Sequence, residues 1–396
     1  MNEKVSGFPE KPSVRPLDAR FSSGPCKKHP GWDVSKLDTS WLGRSHRAAN
    51  PKQRLKLAID RSHELLGLPD DWRVGIVPAS DTGAFEMAMW SMLGQRPVDA
   101  LVWDSFSNDW ANDLKTLGID QLTIHEADYG LLPDLSVINP DNDLVFVYNG
   151  TTAGVRVPDL DWISDERRGL VLCDATSAAY AMPLDFSKLD VVTWSWQKVL
   201  GSEAAHGMLA LSPAAVERLE QYTPDRAIPK IFKLTKNNAL IEGIFSGATI
   251  NTPSMLALED LHSALNWANS IGGLKSLWQR CQANYTTIDQ WVNRSGWVDW
   301  LAENPAIRSP TSMCLKISDP VFQGLTDDEQ NISHKKILTW LEEEAVAFDI
   351  SHYRTAPTGF RLWGGATVEA SDLEALTHWL DWAYERLINE LKRRKL

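Results

Sequence analysis

The sequence predicts an α/β protein: a large domain built on a mostly parallel, seven-stranded sheet, then a smaller α+β C-terminal domain. Three observations carry this. Seven short apolar runs alternate with helical segments, the pattern of a parallel sheet covered on both faces. From about Leu277 that alternation gives way to helices and a pair of strands. The chain has 396 residues, enough for two domains and a sizeable core. The domains read as 20–275 and 276–396, with residues 1–19 an extended arm that packs with the second.

In chain order, Phe21-Ser22-Ser23-Gly24-Pro25 is a turn-rich loop with Gly24-Pro25 as a breaker pair. Trp41-Leu42-Gly43-Arg44-Ser45-His46-Arg47 is basic and shows no period, so by itself it reads as a solvated loop. Leu55, Ala58, Ile59, Leu65 and Leu66 recur at helical spacing. The strands are expected at 74–77, 100–103, 122–125, 144–148, 170–173, 191–196 and 208–211. Amphipathic helices at 83–93 and 108–117 lie between them. Ser212 and Pro213 read as cap and first residue of a helix to about Tyr222. Thr252 and Pro253 do the same for a helix running from Met255 to about Ala268. Thr326-Asp327-Asp328-Glu329 is a capping box opening a helix to about Glu344. Strands at 345–351 and 359–363 follow, joined by the turn 355–358. Ser371-Asp372-Leu373-Glu374 reads as a second capping box. The last helix carries Leu373, Leu376, Leu380, Ala383 and Leu387 as a core stripe, and Lys392-Arg393-Arg394-Lys395 suits its C-terminal end.

Composition narrows the function. With 40 Lys and Arg against 52 Asp and Glu, the formal charge is -12, which argues against nucleic acid or an anionic membrane as partner. Hydrophobic content of 43% and charged content of 23% are ordinary for a soluble globular protein. The four cysteines form no CxxC pair, so no metal site is expected, and Cys173 reads as a small core residue. Residues 1–16 are polar and proline-rich, without the apolar region of a signal peptide, and no run reaches membrane-spanning length. A cytoplasmic protein is the expectation.

The chemistry gathers at strand ends. Val191-Val192-Thr193-Trp194-Ser195-Trp196-Gln197-Lys198 is an apolar strand that ends in a lysine. Leu170-Val171-Leu172-Cys173-Asp174 is another, ending in a carboxylate. In one parallel sheet both charges emerge at the C-terminal edge, where open α/β sheets bind ligands. An amine that condenses with an aldehyde, facing a carboxylate that keeps a pyridine nitrogen protonated, suits pyridoxal phosphate. The plain alternative is two strand-end residues forming a salt bridge. Pro78-Ala79-Ser80-Asp81-Thr82-Gly83-Ala84 joins a strand to a helix. It offers either a phosphate site at a helix N-terminus or an ordinary cap by Ser80, Asp81 or Thr82. Asn149-Gly150 is a turn signal, and Asp174-Ala175-Thr176-Ser177 sets small hydroxyls beside the carboxylate.

Together these segments resemble the phosphoserine aminotransferases, within the class V aminotransferases of the fold type I pyridoxal-phosphate enzymes. Ser45-His46-Arg47, Trp196-Gln197-Lys198 and Asn251-Thr252-Pro253 carry the resemblance, in order and at roughly the right spacing. It implies that Lys198 carries the cofactor and Asp174 pairs with its ring nitrogen. Thr151 would bond the region of the ring hydroxyl, and Phe106 would stack on the ring, with Trp110 the other aromatic in range. Asp81, Thr82, Ser177 and Gln197 would contact the cofactor phosphate. Asn251 and Thr252 would reach that phosphate from a neighbouring subunit, making the active unit a homodimer with shared sites. Arg361 would clamp the substrate α-carboxylate, while His46 and Arg47 of the second subunit hold the distal anion. His352 and Arg354 belong to the same substrate region. The implied reaction is amino transfer between L-glutamate and 3-phosphooxypyruvate, giving O-phospho-L-serine and 2-oxoglutarate. The chain reads as a divergent branch, because Ala79-Ser80-Asp81-Thr82-Gly83-Ala84 replaces the family's glycine-rich loop with arginine. Two other readings are a class V enzyme acting on serine, alanine or glyoxylate, and a ligand-binding protein on the same fold.

Overall fold

A computed structural model describes residues 9–394. The seven apolar runs form one sheet: β1 (Arg73–Pro78), β2 (Val98–Val102), β3 (Leu122–Glu126), β4 (Asp143–Val147), β5 (Val171–Asp174), β6 (Val191–Ser195) and β7 (His206–Leu211). Their order is β1-β7-β6-β5-β4-β2-β3. Strand β7 pairs antiparallel with β1 and β6, and the other pairings are parallel. Strands β4 to β7 are buried at every position, which is why they read as unbroken apolar runs. Edge strand β3 is only partly covered.

The first helices are α1 (Ala49–Leu66), α2 (Ser80–Met92), α3 (Ser105–Thr116), α4 (Pro213–Gln221) and α5 (Met255–Ser270). The expectation of an amphipathic second helix is corrected: α2 buries Gly83, Ala84, Phe85, Met87, Ala88, Met89 and Met92. A helix apolar on all sides belongs in the core, and α2 lies across β6 and β7. Ser212 caps α4 as expected, accepting from the Ala215 N–H with Pro213 in the first turn. For α5 the cap moves two residues. Ser254 accepts from the Ala257 N–H at 3.2 Å, and its own N–H donates to His206 Nε2 at 3.0 Å. That second bond holds Ser254 extended, so Thr252 and Pro253 stay outside the helix.

A second, antiparallel sheet joins β8 (Val298–Trp300), β9 (Ser312–Ile317) and β10 (Gly359–Trp363). Around it lie α6 (Leu274–Arg294), α7 (Asp327–Glu343) and α8 (Ala370–Arg394). The Thr326–Glu329 capping box forms with both of its bonds. The strand expected at 345–351 does not form. Ala345 and Asp349 adopt φ of 52° and 59°, which breaks the extended run, and only isolated bridges at Phe348 and Ser351 remain. The box expected at Ser371 is also absent, because α8 already starts at Ala370. Asp372 instead accepts from the Leu17 N–H at 2.8 Å and faces Lys27 Nζ at 3.5 Å. The stretch from Pro9 runs along α8. Trp382 Nε1 donates to the Pro9 carbonyl and Trp379 Nε1 to that of Val14, at 3.1 and 2.8 Å. Cys26, Cys173, Cys281 and Cys314 are all buried free thiols. Among the described residues no helix is long and apolar enough to cross a membrane.

Candidate active site

The C-terminal ends of the parallel strands surround a cavity of about 330 Å³. It lies within the range of small-molecule sites, roughly 300–1,000 Å³. Asp81, Phe106, Thr151, Asp174, Ser177, Gln197 and Lys198 all line it, with Thr82 at its rim. The reason is topological: β1, β4, β5 and β6 each end at this edge, and the loops that follow them turn into the same space.

Lys198 lies three residues past β6 and is buried. Its Nζ donates to the Ser23 carbonyl at 2.5 Å and sits 6.0 Å from the Phe106 ring centre. Burial lowers its pKa, and the positive charge of Arg361 acts the same way. The turn at Gly24 explains the path of the side chain. Gly24 has φ of +153°, and a Cβ there would stand 2.5 Å from Lys198 Nζ, so a larger residue would displace the end of the lysine.

Asp174 ends β5, beside Thr193 of β6. Its Oδ2 accepts from Trp110 Nε1 at 3.0 Å and its Oδ1 from the Thr176 N–H at 2.9 Å. Trp110, which also lines the cavity, is therefore a hydrogen-bond donor to Asp174. Sequence reasoning missed that role, although Phe106 and Trp110 stand four residues apart and hence on one face of α3. Asp104 is a second omission. It caps α3 through Ser107 and accepts from the Thr152 N–H and hydroxyl at 3.2 and 3.1 Å. It thereby ties the aromatic helix to the Thr151 loop. Asn149 was read as a turn residue, yet it lines the cavity and donates to Ser177 Oγ at 2.8 Å and Thr311 Oγ1 at 3.1 Å.

The loop after β1 bends sharply, with Ala79 and Ser80 both at positive φ. Helix α2 then starts at Ser80 without a side-chain cap. Gly83 is needed here, since a Cβ would lie 2.2 Å from the Pro78 carbonyl oxygen. Asp81 turns inward toward Asp174, Thr176 and Thr193, away from the helix axis. Burial, then the neighbouring Asp174 charge, push its carboxyl well above the usual carboxylate range. Thr151 Oγ1 donates to Ser177 Oγ at 2.9 Å, and Ser177 Oγ donates to the Asn149 carbonyl at 2.9 Å.

Arg361 lies on β10, paired in register with Cys314. Its buried Nε has no partner, and its guanidinium stands 5.6 Å from the Tyr353 ring. Tyr353 also faces Phe106 at 6.0 Å and Arg354 at 5.7 Å, so it connects Arg361 to the cavity wall, which itself includes none of His352, Arg354 and Arg361. Burial lowers the pKa of His352, whose ring packs 5.0 Å from that of His334. His46, Arg47, Asn251 and Thr252 do not line the cavity of this chain. Arg47, Asn251 and Thr252 are exposed, while His46 is buried.

The donor set fits pyridoxal phosphate. An amine and a carboxylate occupy one cavity, and buried side-chain atoms of Thr176, Ser195 and Gln197 on its lining lack partners. No protein-family model matches the chain. Among solved structures, a phosphoserine aminotransferase of Cytophaga hutchinsonii superposes with a TM-score of 0.78 at 20% identity, covering 92% of this chain and 98% of the other. A pyridoxamine-pyruvate aminotransferase of Mesorhizobium loti gives 0.76 at 17% identity, covering 96% and 94%. Fold and site thus define an aminotransferase architecture. Sequence relatives narrow it. Phosphoserine aminotransferases of Methanosarcina mazei and Methanosarcina barkeri are each 54% identical, over 376 and 375 residues, covering 95% and 94% of this chain and 99% of each relative. The chain belongs to the phosphoserine aminotransferases, which are pyridoxal-phosphate-dependent transaminases.

Proposed function

We propose that this protein transfers the amino group between L-glutamate and 3-phosphooxypyruvate, giving O-phospho-L-serine and 2-oxoglutarate. The observation that carries it is the opposition of Lys198 and Asp174 in one buried cavity, in a chain 54% identical to phosphoserine aminotransferases. Bound pyridoxal phosphate supplies a reactive aldehyde and a ring that accepts electrons from the substrate Cα. Lys198 does the proton work. A buried amine of lowered pKa is available in its neutral form to take the Cα proton and return it. Asp174 holds the proton on the ring nitrogen, and its two N–H donors fix its orientation. Phe106 covers a ring face, and Thr82 and Gln197 serve the phosphate end. Arg361, with no competing carboxylate, matches a planar substrate carboxylate in bidentate fashion. His352 and Arg354 complete the substrate side.

The distal phosphate falls to Ser45-His46-Arg47, supplied by the second subunit of a homodimer. Supporting this, Arg47, Asn251 and Thr252 are exposed and lie outside the cavity of their own chain. We place the protein in the cytoplasm. The two separate sheets support a division at 275/276 into a cofactor domain and a smaller C-terminal domain, with residues 9–19 of the arm packed on the latter and residues 1–8 outside the described residues.

Half-reaction rates test the substrate. Arg47 offers two parallel charge-assisted bonds to phosphate, and losing them leaves the anion poorly compensated, at roughly 2–4 kcal/mol. Arg47→Ala should lower kcat/KM for phosphoserine by about two orders of magnitude. Alanine has no distal anion, so its slow rate should barely change. An unchanged ratio of phosphoserine to alanine rates would place phosphate recognition elsewhere, and a wild type that prefers alanine would sink the assignment.

A further inference from the structure

Two buried carboxyl groups line the cavity where the ring nitrogen requires one, the third, Glu203, being exposed at its edge. Asp81 comes from the first turn of α2 and Asp174 from the end of β5, and their carboxyls face each other. They are 6% and 7% exposed. Among the described residues neither forms an ion pair with a lysine or arginine. The remaining titratable groups facing Asp81 are Cys173 on β5 and Lys198 after β6. Burial holds the Cys173 thiol in its neutral form, its pKa well above the usual range, and Lys198 donates to the Ser23 carbonyl. Two buried carboxyls that face each other ionise together less readily than one alone, and the buried amine that faces both is Lys198, the residue the cofactor aldehyde would take up.

The hydrogen bonds decide which one keeps the charge. Asp174 accepts from Trp110 Nε1 and the Thr176 N–H, donors that suit an anion. Asp81 faces only the hydroxyls of Thr176 and Thr193, with no N–H aimed at it, and among the described residues its buried Oδ1 lacks a partner within hydrogen-bond distance. We infer that Asp81 is a positioning residue for the ring-nitrogen carboxylate: a neutral carboxylic acid that donates its hydrogen bond to Asp174 and leaves that residue the single negative charge of the pair. This rests on the cofactor reading above and deepens it. A neutral acid fixes the Asp174 carboxylate without adding a second charge to a pocket that must also take a phosphate dianion. It also accounts for a carboxyl group at the start of a phosphate-binding helix, where an ionised one would repel the ligand.

Three variants and three readouts test it. In the wild-type protein near neutral pH, with and without pyridoxal phosphate, infrared spectroscopy should show the C=O stretch of a buried carboxylic acid. That band should vanish in Asp81→Asn. The pH midpoint of the holoenzyme's visible absorbance should be nearly the same in wild type and Asp81→Asn, because an amide is also a neutral donor. Cofactor dissociation constants should stay within about threefold for Asp81→Asn and weaken about tenfold or more for Asp81→Ala and Asp81→Leu. If Asp81 were ionised, the acid band would be missing and Asp81→Asn would lower the midpoint by about one pH unit; either result overturns the inference. Should the apolar variants fail to fold, the infrared band and the Asp81→Asn midpoint still decide. A wild type that takes up no pyridoxal phosphate is a separate outcome and removes the reading on which this rests.

Discussion

The proposed mechanism puts three demands on Asp174: it must face the ring nitrogen, stay charged, and not swing. Trp110 and Thr176 bond its two oxygens at 3.0 and 2.9 Å, which fixes its orientation. Asp174→Asn keeps the shape and removes the charge, so the amide cannot stabilise a protonated ring. Its holoenzyme should retain cofactor, yet turn over at least about tenfold more slowly, roughly 1.4 kcal/mol of barrier. Steady-state kinetics with confirmed cofactor occupancy would show it, and a smaller loss would remove the electron-sink role from this residue. Lys198 and Asp174 were legible because each ends an apolar run, where a lone charge stands out. The roles of Trp110 and Asp81 were not, although both residues were named. The donor role of Trp110 depends on its indole reaching the end of β5 from another element. Asp81 lies in the first turn of α2, just after two positive φ values that linear spacing does not reveal.

Helices and strands were legible to the extent that local chemistry fixes them. Strands β4 to β7 could be read because burial on both faces demands uninterrupted apolar residues. The Thr326 box and the Ser212 cap could also be read, since each closes its own bonds within four residues. Failures came where a distant partner intervened. Leu17 captures Asp372, and His206 captures the backbone of Ser254. The α5 start gives a direct check. Ser254→Ala should destabilise the protein by about 1 kcal/mol, while Thr252→Ala, outside the helix and exposed, should change it by a few tenths at most. Urea unfolding of the two variants under identical conditions measures the difference. Equal losses would return the cap to Thr252.

For the whole molecule, two buried histidines set the acid limit. Burial, then the Arg54 charge, hold His262 down to about 4. Burial, then His352, hold His334 down to about 3. In the unfolded chain both take up a proton near pH 6.5, but in the fold only near 3 to 4. The unfolded state therefore binds more protons as pH falls below about 6.5, and stability falls with it, by up to roughly 1.4 kcal/mol per pH unit for each histidine. A neutral Asp81 works the other way over this range, because its unfolded carboxyl gives up its proton above about pH 4, so the net slope is smaller than the two histidines alone would give. In urea midpoints compared between pH 7 and about 4, His334→Phe should reduce the acid-side loss by about one proton. The assembly is tested by mixing two inactive variants, Lys198→Ala and Arg47→Ala. If Arg47 acts across the interface, the mixed dimer has one site with its own Lys198 and its partner's Arg47 both intact. The other site lacks both. Equal mixing puts about half the molecules in mixed dimers, so about a quarter of wild-type phosphoserine activity should return. If Arg47 serves its own chain, every site in the mixture keeps one defect. Activity that stays at the level of the separate variants, after subunit exchange is confirmed by mass, would make the site complete within one chain.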